Sequence, residues 1–202
     1  MTYVIGVCGA SCSGKTTICN EISNKIRSTV GDHGVVIVSQ DSYYHGGNAN
    51  TNYDMPDAID FKLMVQQVKQ LIKKEPIECP IYDFSTFSRQ QGTKTIMPAD
   101  IVIIEGILIF YHEELRNLCN LKVFVSAYPE LRYARRLKRD LEERGQTNDE
   151  IERRYFRDVL PASRHYVDPT IELSDIALMN NTLNKFVGLE ILLDHIKKKI
   201  DL

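Results

Sequence analysis

The chain has 202 residues, 25 of them basic and 27 acidic, with a formal charge of −2 and 43% hydrophobic residues, enough to bury one large core. That balance excludes a polybasic nucleic-acid binder and an acidic disordered tail, and no stretch approaches the roughly 18 apolar residues that a membrane span needs. Met1 runs straight into "YVIGV" with no basic start or cleavage site, and the five cysteines are odd in number and lack CxxC spacing, which together read as a cytoplasmic protein with reduced thiols.

Residues 2–8 read as a buried strand, and Gly14 to Val30 as a helix with apolar residues at Ile18, Ile22, Ile26 and Val30. "VVIVS" (35–39) is a second strand, and the Gly- and Asn-rich run after it, "HGGNANTNYDMPD", suits a mobile flap. Asp60 can cap a helix whose stripe runs Phe61, Met64, Val65, Val68, Leu71, Ile72 before Pro76 stops it. "IYDFSTFSR" (81–89) packs three aromatic rings and an arginine into nine positions. Either it is a hairpin strand whose Tyr82, Phe84 and Thr86 fill a core face, or its rings meet a flat ligand.

"IVIIEGILIF" (101–110) is apolar enough to be a strand buried on both faces of a parallel sheet. "LKVFVS" (121–126) is another strand, and Pro129 opens a basic helix. Thr147 and Glu150 form a capping box ahead of a helix through about Val167, kinked at Pro161. "DIALM" (175–179) is a last strand and 185–200 an amphipathic helix ending in lysines. The alternation predicts one α/β domain over residues 1–202, three layers with a mostly parallel sheet, binding ligands at the carboxyl ends of its strands.

"GASCSGKT", Gly9 to Thr16, satisfies GxxxxGK[ST] directly after a strand and at the opening of a helix. The backbone N–H groups of such a loop converge on phosphate oxygens, so Gly9, Ser11, Gly14 and Thr17 are expected around the phosphates of a nucleotide. Lys15 reaches the β- and γ-phosphates, and Thr16 offers a hydroxyl to Mg²⁺. No NKxD guanine motif and no LSGGQ-like signature accompanies it. Glu105, in "IIEGI" on the buried strand, is placed to hold magnesium waters.

Between Arg27 and Lys62 there is no lysine or arginine, while Asp41, Asp54, Asp57 and Asp60 fall there. A patch of that sign repels phosphate and suits hydroxyl groups and metal. Asp41, in "SQDSYY" at a strand end, can take the proton from an attacking hydroxyl as a general base. Arg132, Arg135, Arg136 and Arg139 share one helix face with no acidic residue among them. The segment "RRLKRDLEERG" therefore reads as part of a lid, over about 129–165, whose guanidinium groups close on a moving phosphate.

In order and spacing, "GASCSGKTT", "SQDSYY", "NYDMPDAID", "PIYDFSTFSR", "IIEGILIFY" and "LKVFVSAYPELRYARRLKRDLEERG" resemble the uridine-cytidine kinase family of pyrimidine salvage. The resemblance covers nearly the whole chain. It implies a P-loop kinase fold, ATP and Mg²⁺ as cosubstrates, phosphorylation of a pyrimidine nucleoside at its 5′-hydroxyl, and a homo-oligomer, tetramer or dimer. Related enzymes acting on phosphoribulose or pantothenate share the phosphate loop but lack the "YDF" segment. Carried over by position, Asp41 is the catalytic base and magnesium neighbour, and Glu105 the second acidic metal contact beside Thr16. Asp54 and Arg132 hold the ribose hydroxyls, and Arg135 and Arg139 are lid arginines. Tyr44, Tyr53, Tyr82 and Phe84 surround the base, with about 76–98 as the substrate hairpin. Three positions depart from the pattern: Phe87 stands where a base-reading histidine is usual, Gln146 replaces the last arginine of "ERGR", and "LMNNTLN" replaces "IIPxGxxN", leaving Asn184 aligned. Two other readings stay open: a kinase for another riboside or sugar-like alcohol, and a nucleotide-binding regulator without turnover.

Overall fold

Alternate residues of the first strand serve opposite layers, Val4 and Cys8 packing into one core and Ile5 and Val7 into the other. A strand buried on both faces must be apolar at every position, which is why these segments show no alternation in sequence. The computed structural model describes residues 2–31, 33–48, 50–181 and 187–199. Its strands are β1 (Tyr3–Cys8), β2 (Val35–Ser39), β3 (Ile77–Asp83), β4 (Ser88–Ile96), β5 (Ile101–Gly106), β6 (Leu121–Ser126) and β7 (Ile176–Met179). Its α-helices are α1 (Lys15–Val30), α2 (Phe61–Ile72), α3 (Glu113–Asn117), α4 (Pro129–Arg144), α5 (Asn148–Arg154), α6 (Leu160–Ala162) and α7 (Val187–Lys199).

Five strands form a parallel sheet in the order β2-β5-β1-β6-β7. On one face, Ile18, Ile22 and Ile26 of α1 and Leu189, Leu192 and Ile196 of α7 pack on Ile5, Val7, Ile103 and Val123. On the other, Met64, Val65, Val68 and Leu71 of α2 pack on Val4, Val38, Val102 and Ile104. This is the three-layer α/β arrangement expected from the alternation. Among the described residues no helix is long and apolar enough to cross a membrane, and all five cysteines are free.

The register sets the site. Val7 pairs with Glu105 and Cys8 with Gly106, while Ser39 of β2 pairs with Glu105 from the other side. The phosphate loop, the Glu105 carboxylate and the start of the segment after β2 thus meet at one carboxyl edge, where parallel α/β sheets bind ligands.

Several expected boundaries change. The apolar run 101–110 is a strand only to Gly106. Ile107 to Phe110 stay buried but turn away, the Leu108 N–H donating to Gln40 Oε1 at 2.8 Å instead of to a ladder. The hairpin β3/β4 lies within 76–98 as expected, yet its aromatic run is only half strand, since residues 84–87 form the turn. The Asp83 carboxylate accepts from the Ser85 N–H at 2.8 Å and so nucleates that turn. Phe84 and Thr86 therefore fill no core face, Phe84 being 38% exposed. Asp60 caps α2 by accepting from Leu63 N–H at 3.0 Å, and Thr147 and Glu150 form the full capping box of α5. The irregularity expected at Pro161 takes the form of two π-helical turns, Tyr155–Val159 and Ser163–Val167, on either side of α6. In each, an N–H reaches the carbonyl five residues back, Leu160 to Tyr155 and Asp168 to Ser163. A 3₁₀ segment, Asp168–Leu173, completes this helical path. Of the last expected helix, 185–200, residues 187–199 are described and helical, and Asn184 lies outside the described residues.

Candidate active site

The loop after β1 has the backbone that its glycines permit. Gly9 has φ +148°, and a Cβ there would stand 2.2 Å from the Val125 carbonyl oxygen. Gly14 has φ +100°, and a Cβ there would meet Asn180 Nδ2 at 2.1 Å. Cys12 also takes a positive φ of 61°. Asn180, just past β7, holds the loop from outside: its Nδ2 donates to the Ser13 carbonyl at 2.8 Å, and its backbone N–H donates to Ser126 O at 2.7 Å. Arg135 of α4 donates to the carbonyls of Asn180 at 3.1 Å and Cys12 at 3.5 Å, completing a bridge between helix and loop.

Lys15, at the start of α1, is 8% exposed and donates from Nζ to the Ala10 carbonyl at 3.2 Å. Opposite it, Glu105 is 5% exposed. Burial pushes its carboxyl above the usual carboxylate range and nearby Asp41 adds to this, while Lys15 and the Ser39 hydroxyl pull the other way. Ser39 ties the two acids together: its Oγ donates to Glu105 Oε1 at 2.6 Å and accepts from the Asp41 N–H at 3.3 Å. The Ser39 cap fixes the 3₁₀ turn Gln40–Tyr43 that presents Asp41.

A single cleft of about 340 Å³ joins this edge to the aromatic segment. Ser11, Gly14, Lys15, Thr16, Thr17, Asp41 and Glu105 line it at one end, and Tyr44, Tyr53, Asp54, Tyr82, Phe84 and Phe87 at the other. The Tyr44 ring centroid lies 5.5 Å from that of Tyr53, 5.2 Å from Tyr82 and 6.1 Å from Phe84. Phe87 stacks on Tyr53 at 5.9 Å and 13°, and the Arg154 guanidinium stands 5.8 Å from both rings. The hairpin is held in place by Arg89, which donates to Tyr44 O at 2.8 Å and Tyr43 O at 3.0 Å and pairs with Asp60 at 3.3 Å. The glycine-rich segment expected as a flap lies against the hairpin turn, the Gly47 N–H donating to the Phe87 carbonyl at 2.9 Å. Phe87 holds that carbonyl in place with φ +54°.

Two buried polar atoms on this lining, Tyr82 Oη and Gln146 Oε1, make no hydrogen bond among the described residues. Burial raises the Tyr82 phenol, with Tyr53 contributing. Burial also raises the Asp54 carboxyl, the Arg136 guanidinium opposing it and Asp158 and Asp41 adding to it. Unpaired buried polar groups are costly, so a ligand with donors and acceptors would relieve them.

Arg135 and Arg139 line the cleft, but Arg132 does not. Arg132 donates to Ser163 Oγ at 3.2 Å and pairs with Asp168 at 3.5 Å. The helix turns it toward the π-helical path, and Arg136, one turn on, takes the cleft side. Gly9 shapes the loop without lining the cleft. Arg144, read only as part of the lid segment, and Arg154, Asp158 and Asn180 have no individual role in the sequence reading, and the first three line the cleft. The i, i+4 spacing of Arg136, Asp140 and Arg144 was a signal for the first; the others are brought in by tertiary contacts.

Among the described residues no group of three or more His, Cys, Asp and Glu side chains is arranged to hold a metal by itself. Mg²⁺ in phosphoryl-transfer sites takes one or two protein oxygens and completes its octahedron with water and phosphate. Thr16, Asp41 and the buried Glu105 on one lining fit that requirement.

A family model described as "Phosphoribulokinase / Uridine kinase family" matches residues 4–186. The chain is similar to a uridine kinase of Lactobacillus helveticus, 41% identical over 181 residues that cover 86% of this chain and 84% of that protein. It is also similar to a uridine kinase of Deinococcus deserti, 37% identical over 190 residues, 91% of this chain and 90% of the other. A D-glycerate 3-kinase from Cryptococcus neoformans var. grubii shares the fold, with a TM-score of 0.64 over 93% of this chain and 88% of that one at 14% identity.

Proposed function

The chain belongs to the phosphoribulokinase/uridine kinase family, and we propose that it transfers the γ-phosphoryl group of ATP to the 5′-hydroxyl of uridine or cytidine. The observation that carries this reading is the single cleft, with a phosphate loop at one end and five aromatic side chains and Asp54 at the other. A flat base with a polyhydroxylated sugar matches the second end, and a triphosphate matches the first.

Asp41 accepts the proton of the 5′-hydroxyl as its oxygen bonds to the γ-phosphorus and the bond to the β,γ-bridging oxygen breaks, releasing ADP. Thr16, Asp41 and Glu105 would hold Mg²⁺, which neutralises charge on the β- and γ-phosphates. Lys15 leaves its Ala10 carbonyl for the phosphates, and the loop amides orient them. Arg135 and Arg139 face the charge that spreads over the transferred group. Asp54 accepts from the ribose hydroxyls. Arg136, whose charge opposes the rise of the Asp54 carboxyl, takes the donating role expected of Arg132. Tyr44, Tyr82 and Phe84 pack on the base, while Phe87 supports Tyr53 by stacking, which leaves Tyr82 Oη and Gln146 Oε1 for polar contacts.

The test is ADP release from ATP across a panel of nucleosides and small polyols. Uridine and cytidine should stimulate it well above ATP alone. Stimulation by a polyol or a purine riboside with none by either pyrimidine nucleoside would overturn the reading.

A further inference from the structure

The side chain of Asp140 on α4 is fully buried, at 0% exposure, and three arginines converge on it. Arg139 Nη2 lies 2.7 Å from Oδ1, Arg144 Nε 3.5 Å from the same oxygen, and Arg136 Nε 3.2 Å from Oδ2. The spacing explains the convergence, since Arg136 and Arg144 lie one helical turn before and after Asp140 and Arg139 adjoins it. All three arginines line the cleft.

One carboxylate cannot balance three guanidinium groups. Of the three side chains only that of Arg136 is buried, at 9% exposure, Arg139 and Arg144 being about a quarter exposed, and Asp41 and Asp54 on the same lining offset part of the remaining charge. The hydrogen bonding is incomplete as well: Arg136 Nε and Asp140 Oδ2 are buried and neither makes a hydrogen bond among the described residues. The cluster also spans the cleft. Arg136 donates to Ser11 Oγ of the phosphate loop at 3.3 Å, and the Arg144 guanidinium lies 4.5 Å from the Phe84 ring centroid.

We propose that Asp140 is a positioning residue: its carboxylate gathers Arg136, Arg139 and Arg144 into one aimed cluster before the triphosphate arrives, and it touches neither substrate. The proposal rests on the reading of the cleft as an ATP-dependent kinase site. A carboxylate that holds Arg139 at the transferred group, between Arg136 on the ribose side and Arg144 over the Phe84 ring, has two opposed effects. It fixes their direction, which matters for transfer, and it weakens their attraction for any anion, which matters for binding. Neutralising it therefore separates the two.

The experiment measures kcat for uridine phosphorylation and the dissociation constant for tripolyphosphate in wild type, Asp140→Asn and Asp140→Glu. For Asp140→Asn, kcat should fall at least about tenfold, since small misplacements of such groups cost this much or more, while tripolyphosphate binds as tightly as in wild type or more so. Asp140→Glu keeps the charge and should recover most of the lost kcat with tripolyphosphate affinity unchanged. A residue that only holds the helix together would instead lower kcat and affinity in parallel, and that result overturns the proposal, as does unchanged kcat in Asp140→Asn. If Asp140→Asn does not fold, Asp140→Ser, which also removes the charge, takes its place: a kcat loss with tripolyphosphate affinity kept or raised supports the proposal, and parallel losses or an unchanged kcat refute it. Absence of nucleoside-stimulated ADP release by the wild-type protein refutes the kinase reading and this proposal with it, whereas wild-type turnover with kcat unchanged in the charge-removing variant refutes this proposal alone.

Discussion

Replacing Gly14 by alanine tests how the phosphate loop is built. At φ +100° the alanine backbone is strained by about 1–2 kcal/mol. Its Cβ would stand 2.1 Å from Asn180 Nδ2, so the amide must swing away and surrender its 2.8 Å bond to the Ser13 carbonyl, a further ~1 kcal/mol. Gly14→Ala should thus destabilise the fold by about 2–3 kcal/mol, and Asn180→Ala, which loses the same hydrogen bond, by about 1 kcal/mol. In the double variant the obstacle is already gone and only the strain is added, so its cost should match that of Gly14→Ala alone. The shortfall from additivity, about 1 kcal/mol, measures the contact. Urea unfolding followed by circular dichroism or tyrosine fluorescence reads it, the chain having ten tyrosines and no tryptophan. Additivity of the two substitutions within about 0.3–0.5 kcal/mol would refute the argument that the Asn180 amide is what an alanine side chain meets.

Asp41→Asn should lower kcat by about 100-fold or more while ATP still binds, as expected for loss of a general base; near-normal turnover would remove Asp41 from the chemistry. 2′-Deoxyuridine should show a kcat/KM at least about tenfold below that of uridine, because the missing hydroxyl leaves Asp54 short of a donor in the cleft, and equal values would contradict that placement. Burial raises the carboxyls of Asp54 and Glu105 in the folded protein, so the folded state holds those protons more tightly than the unfolded chain does. The stability they confer is full below the ordinary carboxylate range and is lost as pH rises through the raised values. The urea midpoint of Asp54→Asn should accordingly fall less than that of wild type between the ordinary carboxylate range and neutral pH, and a steeper fall in the variant would reverse the sign assigned to Asp54.

What the sequence determined by itself is local or periodic. The run "GASCSGKT" between a strand and a helix specifies a phosphate loop because glycine spacing and the helix start act over eight residues. Thr147 with Glu150, and Asp60 three residues before Leu63, specify helix starts by bonds within one turn. The uniformly apolar strands announce a parallel sheet because both faces are covered. Tertiary structure decided the rest. Sequence periodicity placed Arg132 on the same stripe as Arg135, Arg136 and Arg139, but whether a residue on that stripe faces the cleft depends on what packs beside the helix, and Asp168 drew Arg132 away. The spacing along α4 puts Arg136, Arg139 and Arg144 within reach of Asp140, but the complete burial of that carboxylate appears only when α4 is seated over the loop. Asn180 is separated from Ser13 by 167 residues, and no local pattern encodes a bond across that distance. Phe84 and Phe87 carry strand propensity, yet the Asx turn at Asp83 and the Gly47 to Phe87 hydrogen bond override it and bring both rings to the cleft.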